Sequence, residues 1–207
     1  VLSMVMAEAT NHYFKHLGVS DGLSQVCIPS IYQDELGAVW LGTTEGLNRY
    51  NGKDVKVFQP SESNHGLTNN EINELCGDKN GRMYIRSGND LIKLDIYTEQ
   101  FTCLRQKGVY GLFCKKDTLW VSCADGIYYY TGQGTELTFF ARVQKGFVGR
   151  ALYVDKETVW VVTRKYLVAI SREDPLRQEI LLTLDKGNCI LGDSSGNIWV
   201  GAWNGLY

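Results

Sequence analysis

Histidine is nearly absent. His12, His16 and His65 are the three in 207 residues. His12 and His16 fall in the N-terminal lead-in and His65 in a polar loop, none beside an Asp and a Ser in a strand-like segment. Gly-x-Ser-x-Gly is missing too, so a hydrolytic triad has no footing. Charge of neither sign dominates, with 21 Lys and Arg against 23 Asp and Glu and no basic stripe. That argues against a nucleic-acid surface. No apolar run reaches about 18 residues, so no membrane-spanning helix is expected within these residues. Proline is as scarce as histidine, at three, against 22 glycines and 12% aromatic residues. Many short strands joined by glycine turns give that profile. Cys27, Cys76, Cys103, Cys114, Cys123 and Cys189 form no CxxC pair, and no His sits at zinc-ligand spacing. No metal or cofactor is expected. The even count permits disulfides in an exported protein. The cysteines fall at different places in the pattern described next, which favours small buried core residues.

What is present is a repeated phrase. Aligned on the aromatic after an acidic turn, "DELGAVWLGTTEGLNRY" carries Trp40 and "DKNGRMYIRSGNDLIKLD" carries Tyr84. "KKDTLWVSCADGIYYY", "DKETVWVVTRKYLVAIS" and "DSSGNIWVGAWNGLY" carry Trp120, Trp160 and Trp199. The spacings are 84−40=44, 120−84=36, 160−120=40 and 199−160=39. A period near 40 with about four strands per unit is that of a β-propeller. In the first unit "VCIPSIYQD" reads as an inner strand, "AVWLGT" and "LNRY" as the next two, and "DVKVF" as a half-exposed outer strand. "NGK" before it is a strong hairpin turn, since Asn-Gly supplies positive φ. The third unit repeats this with "YGLFCK", "TLWVSC", "GIYYYT" and "LTFFAR". "SNHGLTNNEINELCG" reads as a loop feeding an inner strand. The expected fold is all-β: four complete four-stranded blades and a partial fifth, over about 24–62, 69–105, 108–145, 148–185 and 187–207.

The Trp column is expected to pack between neighbouring sheets, because a large flat side chain fills the wedge between blades. The Gly-Thr and Gly-Leu steps serve close approach and tight turns. Asp34, Asp78, Asp155 and Asp193 recur before the aromatic strand, which reads as turn capping rather than an acid/base pair. "GDSSGN" occupies the same turn, and "DKNG" lacks the other ligands of a calcium loop.

At these residues the chain resembles the two-component regulator propeller repeat. "GLSQVCIPSIYQDELGAVWLGTTEGLNRYNGKDVKVF" follows its pattern closely, and "HYFKHLGVSDGLSQ" is similar to the usual lead-in of such ectodomains. The fifth unit keeps Asp193, Gly196, Trp199, Gly201, Gly205 and Leu206, while Tyr84 and "WVVTRKYL" depart from the pattern. The resemblance spans nearly the whole chain from about Tyr13. It implies the periplasmic sensor region of a hybrid two-component histidine kinase, with the parent anchored in the inner membrane by segments downstream of these residues. It also implies a parent propeller of seven blades and a glycan-derived oligosaccharide ligand. The chain stops in the third strand of the fifth unit, so a fragment is expected, which associates with itself or is completed by the remaining blades of its parent. "VLSMVMAEAT" is similar to the end of a signal peptide over residues 1–9, with Ala7-Glu8-Ala9 as the small-x-small site. A frayed strand is the alternative reading.

In propellers the loops entering the inner strands line one mouth of the central channel. Here those positions are Gln25, Asn70, Tyr110, Arg150 and Asn188, which differ between units and are polar or aromatic. Trp203 replaces a small residue of the repeat and can stack on a sugar ring or on a further blade. Arg86 and Arg164 break the apolar pattern, which reads as solvated side chains, as pairs with nearby carboxylates or as contacts for anionic sugars. Two other functions stay open. One is a protein-interaction scaffold, although no WD40 "GH…WD" signature occurs. The other is a polysaccharide-active propeller enzyme, which the missing constellation disfavours. No catalytic residue is expected.

Overall fold

A computed structural model describes residues 15–61 and 66–207. Residues 1–9, His12 and His65 lie outside the described residues.

Hydrogen-bonded strands follow the local pattern closely. The first sheet runs β1 (Ser30–Gln33), β2 (Val39–Thr43), β3 (Gly46–Tyr50) and β4 (Val55–Phe58), ordered β1-β2-β3-β4 and antiparallel throughout. The second holds β5 (Ile72–Gly77), β6 (Arg82–Ser87), β7 (Asp90–Asp95) and β8 (Gln100–Arg105). The third holds β9 (Val109–Lys115), β10 (Thr118–Cys123), β11 (Gly126–Tyr130) and β12 (Thr138–Ala141). The fourth holds β13 (Gly149–Val154), β14 (Thr158–Thr163), β15 (Tyr166–Ser171) and β16 (Gln178–Thr183). The fifth has three strands, β17 (Cys189–Gly192), β18 (Ile198–Ala202) and β19 (Gly205–Leu206). Only β1 is much shorter than its apolar segment. It begins after Pro29, which has no N–H to give to a ladder.

Every aligned aromatic lies in the second strand of its sheet: Trp40 in β2, Tyr84 in β6, Trp120 in β10, Trp160 in β14 and Trp199 in β18. The core consists of four apolar clusters, and each fills the wedge between two successive sheets. Trp40, Leu47 and Phe58 of the first sheet meet Leu75, Met83 and Ile85 of the second. Tyr84 and Leu91 meet Leu112, Val121 and Tyr130 across the second wedge. Trp120 and Ile127 meet Leu152 and Val161 across the third. Trp160, Val162 and Leu167 meet Ile190 and Val200 across the fourth. Ring contacts run across these seams, with Phe58 to Phe101 at 5.6 Å, Tyr84 to Tyr130 at 6.0 Å and Phe113 to Tyr153 at 5.2 Å.

Period-2 side-chain alternation explains which faces stay bare. On β1, Ser30 accepts from the Leu75 N–H and Tyr32 packs in the first wedge, so Ile31 points the other way and is 63% exposed. On the fifth sheet Ile190 and Val200 face the fourth sheet, leaving Leu191 and Trp199 outward, the latter 43% exposed. Trp199 therefore differs from its aligned partners because no sheet follows it within the chain. The cysteines differ from the expectation as well. All six are free thiols, and only Cys123 is fully buried. Cys27 precedes β1 on the surface, and Cys189 points away from the fourth wedge, so both are exposed.

Candidate functional site

The first strands β1, β5, β9, β13 and β17 lie side by side around the inside of the arc. They enclose a channel of about 690 Å³ lined by residues of all five sheets. In the second, third and fifth sheets the connector entering the first strand is tied to the hairpin between strands two and three of the same sheet. Gly88 N–H donates to Glu71 O at 2.7 Å, Ala124 N–H to Gly108 O at 2.8 Å and Trp203 N–H to Asp185 O at 2.9 Å. These bonds hold connectors and hairpins together as the rim of one mouth.

Tyr110, Arg150 and Asn188 all line the channel. A second, open cleft of about 490 Å³ on the fourth and fifth sheets joins Arg150, Asn188 and Trp203 to Arg164 and Lys186. A third, of about 430 Å³, joins Tyr110 and Arg150 to Phe147, Arg164 and Lys165. Gln25 and Asn70 belong to the first and second sheets and line none of these spaces. The Gln25 side chain instead accepts from the Val26 N–H at 2.7 Å. Neither is brought to the other predicted residues, because the clefts are lined by the connectors and hairpins of sheets three to five. Trp203 is 78% exposed, and Lys186 Nζ stands 4.8 Å from its ring centroid.

Arg86 and Arg164 part company. Arg86 lies in the channel, where its Nε donates to Glu74 Oε2 at 3.2 Å and its Nη1 to Gly88 O at 3.3 Å. Burial pushes the Glu74 carboxyl up from its ordinary value, and Arg86 with the Leu112 N–H opposes that rise. Arg164 is exposed, and among the described residues neither it nor Arg150 makes an ion pair.

One recurrent feature of the rim lies outside the predicted set. "QKG" at 106–108 and 144–146 and "DKG" at 185–187 enter the third, fourth and fifth sheets. Each lysine has positive φ, with Lys107 at 63°, Lys145 at 58° and Lys186 at 50°. The left-handed region costs a non-glycine residue about 1 kcal/mol. The dipeptide recurring before three first strands is the signal by which the sequence shows it.

The turn aspartates are structural. Asp34 Oδ1 accepts from the Leu36 and Ala38 N–H groups at 3.0 and 2.9 Å, and its Oδ2 accepts from the Trp40 indole at 2.7 Å. Asp155 and Asp193 do the same for Trp160 and Trp199. Tyr84 has no indole, and Asp78 pairs with Arg82 instead. Among the described residues no group of three or more His, Cys, Asp and Glu is placed to hold a metal ion.

Wedge-packed four-stranded sheets around a channel make this chain an arc of β-propeller blades. It carries a two component regulator propeller repeat, for residues 22–45 match that family's model. Over 93% of its length the chain superposes on the extracellular domain of the hybrid two component system BT3049 from B. thetaiotaomicron, with a TM-score of 0.80 and 23% identity. It superposes on the corresponding domain of BT4673 over 85% of its length, at a TM-score of 0.65 and 21% identity. The chain spans 30% and 25% of those two structures. A stretch of 53 residues is 40% identical to Histidine kinase P4 of Formosa agariphila, covering 26% of this chain and 4% of that protein.

Proposed function

We propose that this arc is part of the periplasmic sensor region of a hybrid two-component regulator, where it takes a glycan-derived ligand at the channel mouth. The observation that carries the reading is the convergence of Tyr110, Arg150, Asn188 and Trp203 on adjoining clefts at one rim. Planar aromatic and hydrogen-bonding side chains on a rigid β frame are what sugar recognition needs. The regulator propeller repeat at 22–45 and the likeness to extracellular domains of hybrid two component systems support the signalling context. In this reading the arc binds its ligand without turning it over. It acts through a parent chain that supplies the membrane anchor and the kinase.

The test is calorimetric titration of the protein with neutral and acidic tetrasaccharides, each recovered afterwards and sized. Saturable binding with the sugar recovered intact supports a sensor. Shortened sugars would mark a polysaccharide-active enzyme instead. No saturable binding, with a protein partner retained on the same surface, would mark an interaction scaffold.

A further inference from the structure

The rim is electrically lopsided. Around the clefts on sheets four and five stand Arg150, Arg164, Lys165 and Lys186, with Asp185 the acidic neighbour in the connector. Lys145 stands at the adjoining connector, and Lys107 at the one before it. The rim on sheets one and two carries Glu45 and Glu71 instead. Net charge for the whole chain is −2, so the basic rim does not merely reflect an overall cationic surface.

We propose that this mouth is selective for an acidic oligosaccharide, one bearing carboxylate or sulfate groups. The inference rests on the glycan-sensing reading and names the ligand class for that same site. Arg150 and Arg164 are the specificity-determining residues. Both line the same two clefts, both are solvent-exposed, and neither guanidinium is committed to an ion pair among the described residues. A planar guanidinium gives two parallel N–H bonds to a carboxylate or sulfate, a geometry that lysine cannot supply. Lys165 and Lys186 add positive potential that draws an anion toward the clefts. Trp203 offers the flat apolar surface against which a sugar ring stacks, with Lys186 over the indole. Arg86 contrasts with them. It is bound to Glu74 inside the channel and is not available to a ligand in that pose.

The experiment compares cellotetraose, tetragalacturonate and a chondroitin sulfate tetrasaccharide by calorimetry at about 0.15 M salt, where exposed charges are screened beyond about 8 Å. One acidic sugar is expected to bind at least about 10-fold tighter than cellotetraose, and which one binds distinguishes carboxylate from sulfate recognition. Arg150→Gln and Arg164→Gln should each weaken that sugar about 10-fold or more. Arg177→Gln, on the cleft with Glu157 and Glu179, should leave it unchanged. Equal binding of cellotetraose would overturn the acidic preference while leaving the glycan reading standing. Acidic binding indifferent to both arginine variants would overturn the site. If none of the three sugars binds, the glycan reading fails, and this inference with it.

Discussion

The indole N–H of Trp40 donates to Asp34 Oδ2 at 2.7 Å, and both side chains are buried. One carboxylate thus closes the turn between β1 and β2 through backbone N–H groups and fixes the aromatic that fills the wedge to the next sheet. Asp34→Ala leaves the indole and two turn N–H groups without their acceptor, in a site where Trp40 is fully buried. Unpaired buried donors cost about 1–3 kcal/mol each, partly relieved by water at the turn, so a net loss of about 3 kcal/mol is expected. Urea denaturation of Asp34→Ala beside the parent protein measures it. An unchanged midpoint would show that the wedge holds Trp40 without the carboxylate.

The same pair predicts acid sensitivity at the fifth sheet. Hydrogen bonds from Asn197 and Trp199, with the Asn197 and Ser195 N–H groups, hold the Asp193 carboxyl down to about 2. At Asp155, burial works to raise the carboxyl, but bonds from Trp160, Glu157 and Thr158 leave it below its ordinary value. A carboxyl depressed on folding adds stability that is complete above its unfolded value. That stability is lost as pH falls through the folded value. Trp199 fluorescence should therefore change between about pH 4 and pH 2. Asp193→Asn should lose that step, and a step retained in the variant would assign it elsewhere.

Gly42 sits in β2 facing Ile72 of β5. A Cβ there would lie 2.7 Å from Ile72 Cγ2 and 2.9 Å from the Ile72 carbonyl oxygen. The backbone oxygen cannot move aside as a flexible side chain would. Gly42→Ala should cost about 1–3 kcal/mol by overpacking the first wedge. Thermal unfolding by circular dichroism reads the change, and a variant as stable as the parent would mean that the sheets separate freely.

Thiol reactivity should split by position. Cys27 and Cys189 are exposed and should react with a maleimide in the native protein. Burial pushes the Cys123 thiol up to about 11 and raises Cys76 well above its ordinary value, so both should label only on unfolding. Cys76 and Cys114 Sγ stand 3.0 Å apart across the second wedge. Diamide, which takes up the two electrons and two protons of a thiol pair, should join these two to each other once the wedge loosens, because their sulfurs are already in contact. Peptide mapping by mass spectrometry decides, and rapid native labelling of Cys76 would contradict the packing of that wedge.

The architecture was legible because its signals are local. Alternating apolar residues, glycine turns and an aromatic every 36 to 44 residues placed Trp40, Tyr84, Trp120, Trp160 and Trp199 in equivalent strands. The turn aspartates could be read as caps, because an Asx turn needs only neighbours in sequence. Their bonds to the indoles could not, since these require the twist of the completed hairpin. Trp120 shows the limit. Its turn is tight, with Lys116 at positive φ, its aspartate, Asp117, stands only three residues upstream and accepts from the Asn80 amide, and the Arg172 guanidinium lies 5.6 Å from the Trp120 ring centroid. The rim was only half legible. Tyr110, Arg150, Asn188 and Trp203 come together, whereas Gln25 and Asn70 occupy equivalent places on sheets outside the clefts. Convergence depends on how successive sheets are rotated about the channel, which no single repeat records.

Hydrogen–deuterium exchange with and without a saturating acidic tetrasaccharide tests most directly that the mouth over sheets three to five is the binding site. Ligand contact should slow exchange in the connectors 142–148 and 184–188 and in the hairpins around Arg164 and Trp203. The outer strands β4, β8, β12 and β16 should be unaffected. Protection confined to the opposite end of the sheets, or to the first two sheets alone, would contradict the account.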